Sequence, residues 1–217
     1  MTPRDEFLDA LKRGDRQSAF RVVDARLASG SPLRDIYLDI VQPSMRDIGQ
    51  LWQDNALTIA QEHVATAIAE ASMSRVFERT FVWRDNRTPK ILAACAEDER
   101  HQIGLRMLCD LLELDGWDTV YVGASVPVES LVGLVEKSNP DAIALSATIA
   151  PHVPRVRAAI TAIRAANLKR QPVIAVGGRA FLSDPSLARR VGADATATDA
   201  AEAVSLLDAL VRHGRAA

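Results

Sequence analysis

The sequence predicts an α plus α/β fold, with an N-terminal four-helix bundle followed by a doubly wound, five-stranded parallel sheet. Two observations carry this. Up to about Arg84 the chain repeats apolar residues at helical spacing, with short polar breaks and no strand-like run. From Lys90 it switches to short apolar runs of strand length, each followed by a helical stretch. Runs that are apolar on both faces and separated by helices mean a parallel sheet covered on both sides. The predicted organisation is a helical bundle over residues 1–84, a linker over 85–89 and an α/β domain over 90–217.

The elements follow in order. Pro3 to Leu11 starts with a proline in the first turn and stops at Gly14, as helices do. Arg16 to Leu27 ends in the break Ser29-Gly30-Ser31-Pro32. A third helix spans Leu33 to Leu51 with a kink expected at Pro43, and a fourth runs from Ile59 to Val82. Four helices with short connections suggest an up-down bundle. The polar stretch ending in Thr88-Pro89 reads as the linker, with Trp83 packing beside it and Trp117 against the sheet. Strands are then predicted at Ile91–Ala96, Thr119–Val122, Ala142–Ser146, Val173–Val176 and, weakly, Ala193–Ala197. Helices alternate with them at Ile103–Leu114, Val128–Glu136, Pro154–Ala166, near Leu187 and at Ala200–Val211. Five such units make a doubly wound, flavodoxin-like domain. Its ligands sit at the carboxyl ends of the strands, so the loops after strands one, three and four are expected to carry function.

Composition narrows the class. A net charge of −2 argues against a large phosphate-binding surface, so no direct nucleic-acid role is expected. No apolar run approaches a membrane span and the first residues lack a signal-peptide core, so a soluble cytoplasmic protein is expected. Cys95 and Cys109 lie in apolar stretches and read as buried thiols, not as a disulfide or metal pair.

The loop after the first strand reads Glu97-Asp98-Glu99-Arg100-His101-Gln102-Ile103-Gly104. It places an imidazole at the mouth of the sheet. A carboxylate two residues earlier can accept the second ring proton, which fixes the tautomer and raises basicity toward a metal. Gly104 lets a bulky partner approach the following helix. After Gly104 and forty-one intervening residues comes Ser146-Ala147-Thr148, and after twenty-eight more comes Gly177-Gly178. This set resembles the D-x-H-x-x-G…S-x-L…G-G signature of proteins that bind cobalamin with a histidine on cobalt. Glu99 stands in place of the aspartate and Thr148 in place of the leucine. The resemblance implies that His101 is the lower axial ligand and Glu99 its supporting carboxylate. It places Ser146 and Thr148 along the slot for the nucleotide tail, with Gly177 and Gly178 leaving room for it. Arg100 is a candidate interface residue. His152 follows the Ser146 loop, and a corrin-facing and a surface position are both open for it.

In the helical half, Trp52 is followed after nine residues by Glu62-His63. A tryptophan can pack as a flat lid on a bulky ligand, and a carboxylate can accept hydrogen bonds from a ribose or adenine. W-x9-E-H resembles the cap signature of adenosylcobalamin-dependent photoreceptors of the CarH/LitR type. The resemblance implies that Trp52 and Glu62 contact the adenosyl group, that His63 supports the upper site, and that the protein is not an enzyme. It also implies that light breaks the cobalt–carbon bond and shifts cap packing, with a change in assembly (a homo-oligomer, dimer or tetramer) or in partner binding. The chain begins at the cap, without the DNA-binding domain of the transcription-factor members, so an effector protein such as a transcription regulator is the expected partner. Gln53 stands where those members can have an upper histidine ligand. Stand-alone relatives called photocobilins add a bilin; no residue here establishes one, and biliverdin stays open as a second cofactor. The competing readings are a corrinoid methyl carrier of a methyltransferase system and a passive cobalamin-binding module.

Overall fold

The computed structural model describes residues 1–82, 85 and 88–213, with the side chain of residue 213 excepted. Trp83, Arg84, Asn86 and Arg87, and with them part of the predicted linker, lie outside the described residues. The chain divides into two compact units, the first ending at Val82.

The first unit is four helices. α1 (Pro3–Arg13) is closed at both ends by its own sequence. Thr2 and Asp5 form a reciprocal capping box, and Gly14 ends the helix at φ 67°, a left-handed conformation that glycine adopts without a Cβ penalty. α2 (Arg16–Ala28) starts on the Asp15 side chain, which accepts from the Ser18 amide. α3 runs without a break through Leu33–Ile36, Tyr37–Val41 and Gln42–Gln53. Its middle segment is wound as a π-helix. This stands where a kink at Pro43 was expected: proline offers no N–H to the turn before it, and wider winding relieves its ring from the carbonyl four residues earlier. α4 (Ile59–Thr80) opens with a second capping box, Thr58 with Gln61. Phe7, Leu11, Ile36, Tyr37, Ile48 and Met73 are among the fully buried side chains. The Tyr37 hydroxyl donates to the Met73 carbonyl at 3.1 Å, tying α3 to α4.

The second unit is a five-stranded parallel sheet in the order β2-β1-β3-β4-β5. The strands are β1 (Lys90–Cys95), β2 (Asp118–Gly123), β3 (Ala142–Ser146), β4 (Val173–Gly177) and β5 (Ala195–Thr196). The helices are α5 (Ile103–Leu114), α6 (Val128–Ser138), α7 (Val153–Ala165), α8 (Arg179–Ser183), α9 (Ser186–Val191) and α10 (Ala200–Asp208). α10 continues through Ala209–His213 with π winding, and a 3₁₀ turn, Ala150–His152, leads into α7. α5 packs with α10, and α6 with α7, as two helical layers require. Leu92, Ala94, Ile143, Leu145, Ile174 and Val176 form the sheet side of one continuous core. The strand order reverses at the β1/β3 pair, so the loops after β1 and β3 leave the sheet side by side at its carboxyl edge. No helix among the described residues is long and apolar enough to cross a membrane.

Candidate functional site

The loop after β1 is held from several directions before its side chains do anything. The Glu99 amide donates to the Ala96 carbonyl at 2.9 Å, and the Glu99 carbonyl accepts from the Ser125 amide at 2.8 Å. Asp98 sits at φ 69°, a left-handed turn position, and its amide reaches the Ser125 hydroxyl at 3.2 Å. Arg155 of α7 pairs with Glu97 at 3.4 Å and Asp98 at 3.3 Å. The run of three acids thereby splits: two carboxylates meet an arginine at the surface, and the third turns inward.

That third carboxylate, Glu99, is completely buried. Its Oε1 accepts from the His101 amide at 2.8 Å and from His101 Nδ1 at 2.5 Å. Its Oε2 accepts from the Thr148 amide at 2.6 Å and from His152 Nδ1 at 3.0 Å. Burial pushes the carboxyl pKa up, but the hydrogen bonds from His101, His152 and the two backbone amides outweigh it, so the group is held well below the ordinary carboxylate range. An ionised carboxylate fixes Nδ1–H on both imidazoles. Metal bonding by His101, whose side chain is 56% exposed, would then use Nε2. Beneath the loop, burial and the nearby Glu99 charge push the Cys95 thiol up to about 12, so it stays protonated and is a poor metal ligand. Cys109 is likewise free, buried and pushed upward, as two buried thiols were expected to be.

The other predicted residues of this unit fall at the same edge. Ser146 ends β3, is buried, and its carbonyl accepts from the Ala96 amide at 3.0 Å. Thr148 is half-buried and enters the cluster through its backbone. The two glycines differ. A Cβ on Gly177 would meet nothing within 4 Å, which leaves open space at the end of β4. Gly178, at φ 97°, is required by the chain itself, because a Cβ there would lie 2.3 Å from the Ala147 carbonyl oxygen. Gly104 is exposed with open space at its Cβ position, and Arg100 is exposed and takes no part in the Glu99 cluster. His152 is drawn into the cluster with its side chain 16% exposed, which resolves its position toward the buried carboxylate. The available signal was its place in the first turn after the β3 loop. The Arg155 clamp went unpredicted.

In the helical unit Trp52 lies in the last turn of α3 and is 42% exposed, unusual for an indole. Glu62 sits at the start of α4, which packs against the Gln42–Gln53 segment of α3. Its Oε1 accepts from the Thr66 hydroxyl at 2.7 Å, and its side chain is 21% exposed. His63 Nε2 lies 3.6 Å from Glu62 Oε2 with a side chain 69% exposed. Trp52, Glu62 and His63 therefore lie at one end of the unit, where α3 gives way to α4.

Known proteins match both units. Residues 89–205 match a family model described as the B12 binding domain, and residues 3–76 match a second model of the same description. The chain is 27% identical over 190 residues to the HTH-type transcriptional repressor CarH of Myxococcus xanthus, which takes in 88% of this chain and 62% of CarH. It thus spans less than two thirds of that relative. It is 28% identical over 198 residues to monomethylamine corrinoid protein 1 of Methanosarcina acetivorans, covering 89% of this chain and 88% of that one. Among solved structures, the Methanosarcina barkeri monomethylamine corrinoid protein shares the fold, with a TM-score of 0.79 and 22% identity over 95% of this chain and 97% of that one. A cobalamin-binding protein from Desulfitobacterium hafniense DCB-2 superposes with a TM-score of 0.52 and 25% identity over 92% of this chain and 94% of that one. With more than half its residues inside the first model, and with the helical-plus-parallel-sheet architecture of a corrinoid protein, this cobalamin-binding chain belongs to the B12 binding domain family.

Proposed function

We propose that the chain is a light-sensing cobalamin protein that holds adenosylcobalamin with His101 as the lower cobalt ligand. Loss of the adenosyl group would be signalled by a change in assembly or partner binding. The residues at the sheet edge fit such a cofactor: an exposed imidazole backed by a buried carboxylate, open space at Gly104 and Gly177, and the exposed apolar side chains of Ile149 and Leu182 after β3 and β4. Bound adenosylcobalamin would supply a cobalt–carbon bond that visible light cleaves. The chain's own part is to hold and orient. Glu99 fixes the tautomer of His101, the loop after β3 fixes Glu99, and the helical unit recognises the upper ligand. This makes the protein a receptor and not an enzyme, and its partner an effector protein such as a transcription regulator. Biliverdin as a second cofactor rests on the stand-alone relatives and has no residue assigned to it.

The observation that carries the light-sensing reading is Trp52, an indole left 42% exposed in the last turn of α3, the helix that leads into the Glu62-His63 start of α4. The likeness to CarH over 88% of this chain supports it. A second reading, a corrinoid methyl carrier, has its own support. The monomethylamine corrinoid proteins match along nearly their whole length, and the comparisons taken together favour the carrier over the photoreceptor. The discriminating experiment is equilibrium binding of adenosylcobalamin and methylcobalamin in the dark, to the native chain and to Trp52→Ala. Light sensing predicts a preference for the adenosyl form of about 10-fold that Trp52→Ala abolishes, the loss of roughly one buried aromatic contact. Equal binding of the two forms, unaffected by Trp52→Ala, would contradict light sensing and leave the methyl carrier and the passive cobalamin-binding module.

A further inference from the structure

We propose that His152 is a positioning residue for the cobalt ligand, acting through Glu99 and not by touching the metal. This rests on the reading of His101 as the cobalt ligand. A carboxylate has four lone-pair sites, and Glu99 fills all four with donors of this unit. Two come from His101, at 2.8 and 2.5 Å on Oε1. The other two are the Thr148 amide at 2.6 Å and His152 Nδ1 at 3.0 Å, both on Oε2. Because Glu99 is 0% exposed, these four donors stand where water would otherwise solvate the carboxylate. Of the two donors on Oε2, the Thr148 amide is fixed by backbone, so His152 is the side chain that stops the carboxylate from turning. If it turned, Oε1 would leave His101 Nδ1, and the imidazole would lose both its tautomer and its aim.

His152 is itself well placed to hold. It closes the 3₁₀ turn Ala150–His152, its amide donates to the Ile149 carbonyl at 3.0 Å, and its side chain is 16% exposed. Three residues on, Arg155 grips Glu97 and Asp98 of the same loop. The segment after β3 thus holds the histidine loop at two points, one inside and one at the surface. It also contains Thr148, so the imidazole's orientation is tied to the loop that ends β3.

The test uses protein carrying ¹⁵N-labelled histidine, loaded with aquocobalamin and reduced to the cobalt(II) form. Electron paramagnetic resonance then reports histidine on cobalt as a doublet splitting, which the cofactor's own ¹⁴N base cannot give. The native chain should show the doublet. His152→Ala should lose most of it and bind cobalamin about 10- to 100-fold more weakly, the usual range for a residue that orients a metal ligand. His152→Asn, whose amide donates from near the Nδ1 position, should recover it, and His152→Gln, whose donor sits further out, should not. Melting of the unloaded variants checks folding; if His152→Ala does not fold, the comparison of His152→Asn with His152→Gln carries the test. A native doublet that persists unchanged in His152→Ala, or equal behaviour of His152→Asn and His152→Gln, would overturn the positioning role. Absence of the doublet in the native chain would overturn the His101 ligand and the positioning role together.

Discussion

Burying an ionised carboxylate costs several kcal/mol, and Glu99 offsets that cost with four donors. Glu99→Gln replaces one acceptor with an amide that confronts either His101 Nδ1–H or the Thr148 amide. It is expected to weaken cobalamin binding about 10- to 100-fold, and to lower unfolding free energy by about 1–3 kcal/mol in denaturant titration. Gly178→Ala tests a different kind of necessity, since φ 97° and the Ala147 carbonyl both exclude a Cβ. It should cost about 2 kcal/mol or more, with the midpoint of the denaturant transition falling accordingly. These residues differ in how legible they were. His101, Glu99 and the glycines stand at fixed spacings in one stretch of sequence after another. His152 contacts a residue fifty-three positions away, and its place just after the β3 loop left a corrin-facing and a surface position equally open. Its role comes from two loops leaving adjacent parallel strands, which only the fold brings together.

At the scale of elements, strands β1, β3 and β4 were readable to within a residue or two because each is an apolar run buried on both faces. β5 is two residues long and carries almost no pattern. The short helix α8 follows directly on the Gly177-Gly178 pair, and five residues are too few for a period to register. The π segment of α3 was visible only as a proline in the wrong place. In the helical unit, α2 and α4 are joined by Asp24, which accepts from Arg75 at 2.6 and 2.7 Å and from Arg79 at 2.8 Å. The Arg75 hydrogen bond is the main cause that holds the Asp24 carboxyl below its ordinary 3.8. A carboxylate whose folded pKa is lowered stabilises the fold above that ordinary value and loses the contribution as pH falls toward the lowered one. The helical unit should therefore melt more easily in that acid window, and Arg75→Ala should flatten this dependence while costing about 1 kcal/mol or less at neutral pH, since both side chains are about one-third exposed.

At the scale of the molecule, two compact units each match a B12 binding domain model, and the chemistry assigned to each is different. The sheet edge holds an imidazole in one orientation, while the helical unit offers an exposed indole and a carboxylate. The light-sensing proposal draws on both, because loss of a bound group changes assembly only if the two states of the protein differ in their interactions with it. The measurement that tests this most directly is light scattering after size-exclusion chromatography of the adenosylcobalamin-loaded chain, kept dark or illuminated with green light. Light sensing predicts a mass or partner-binding change that accompanies photolysis in the native chain and is lost in Trp52→Ala, while cobalamin stays bound in both. Photolysis with identical dark and light profiles, and unchanged partner binding, would contradict the photoreceptor and leave a methyl carrier or a passive cobalamin-binding module.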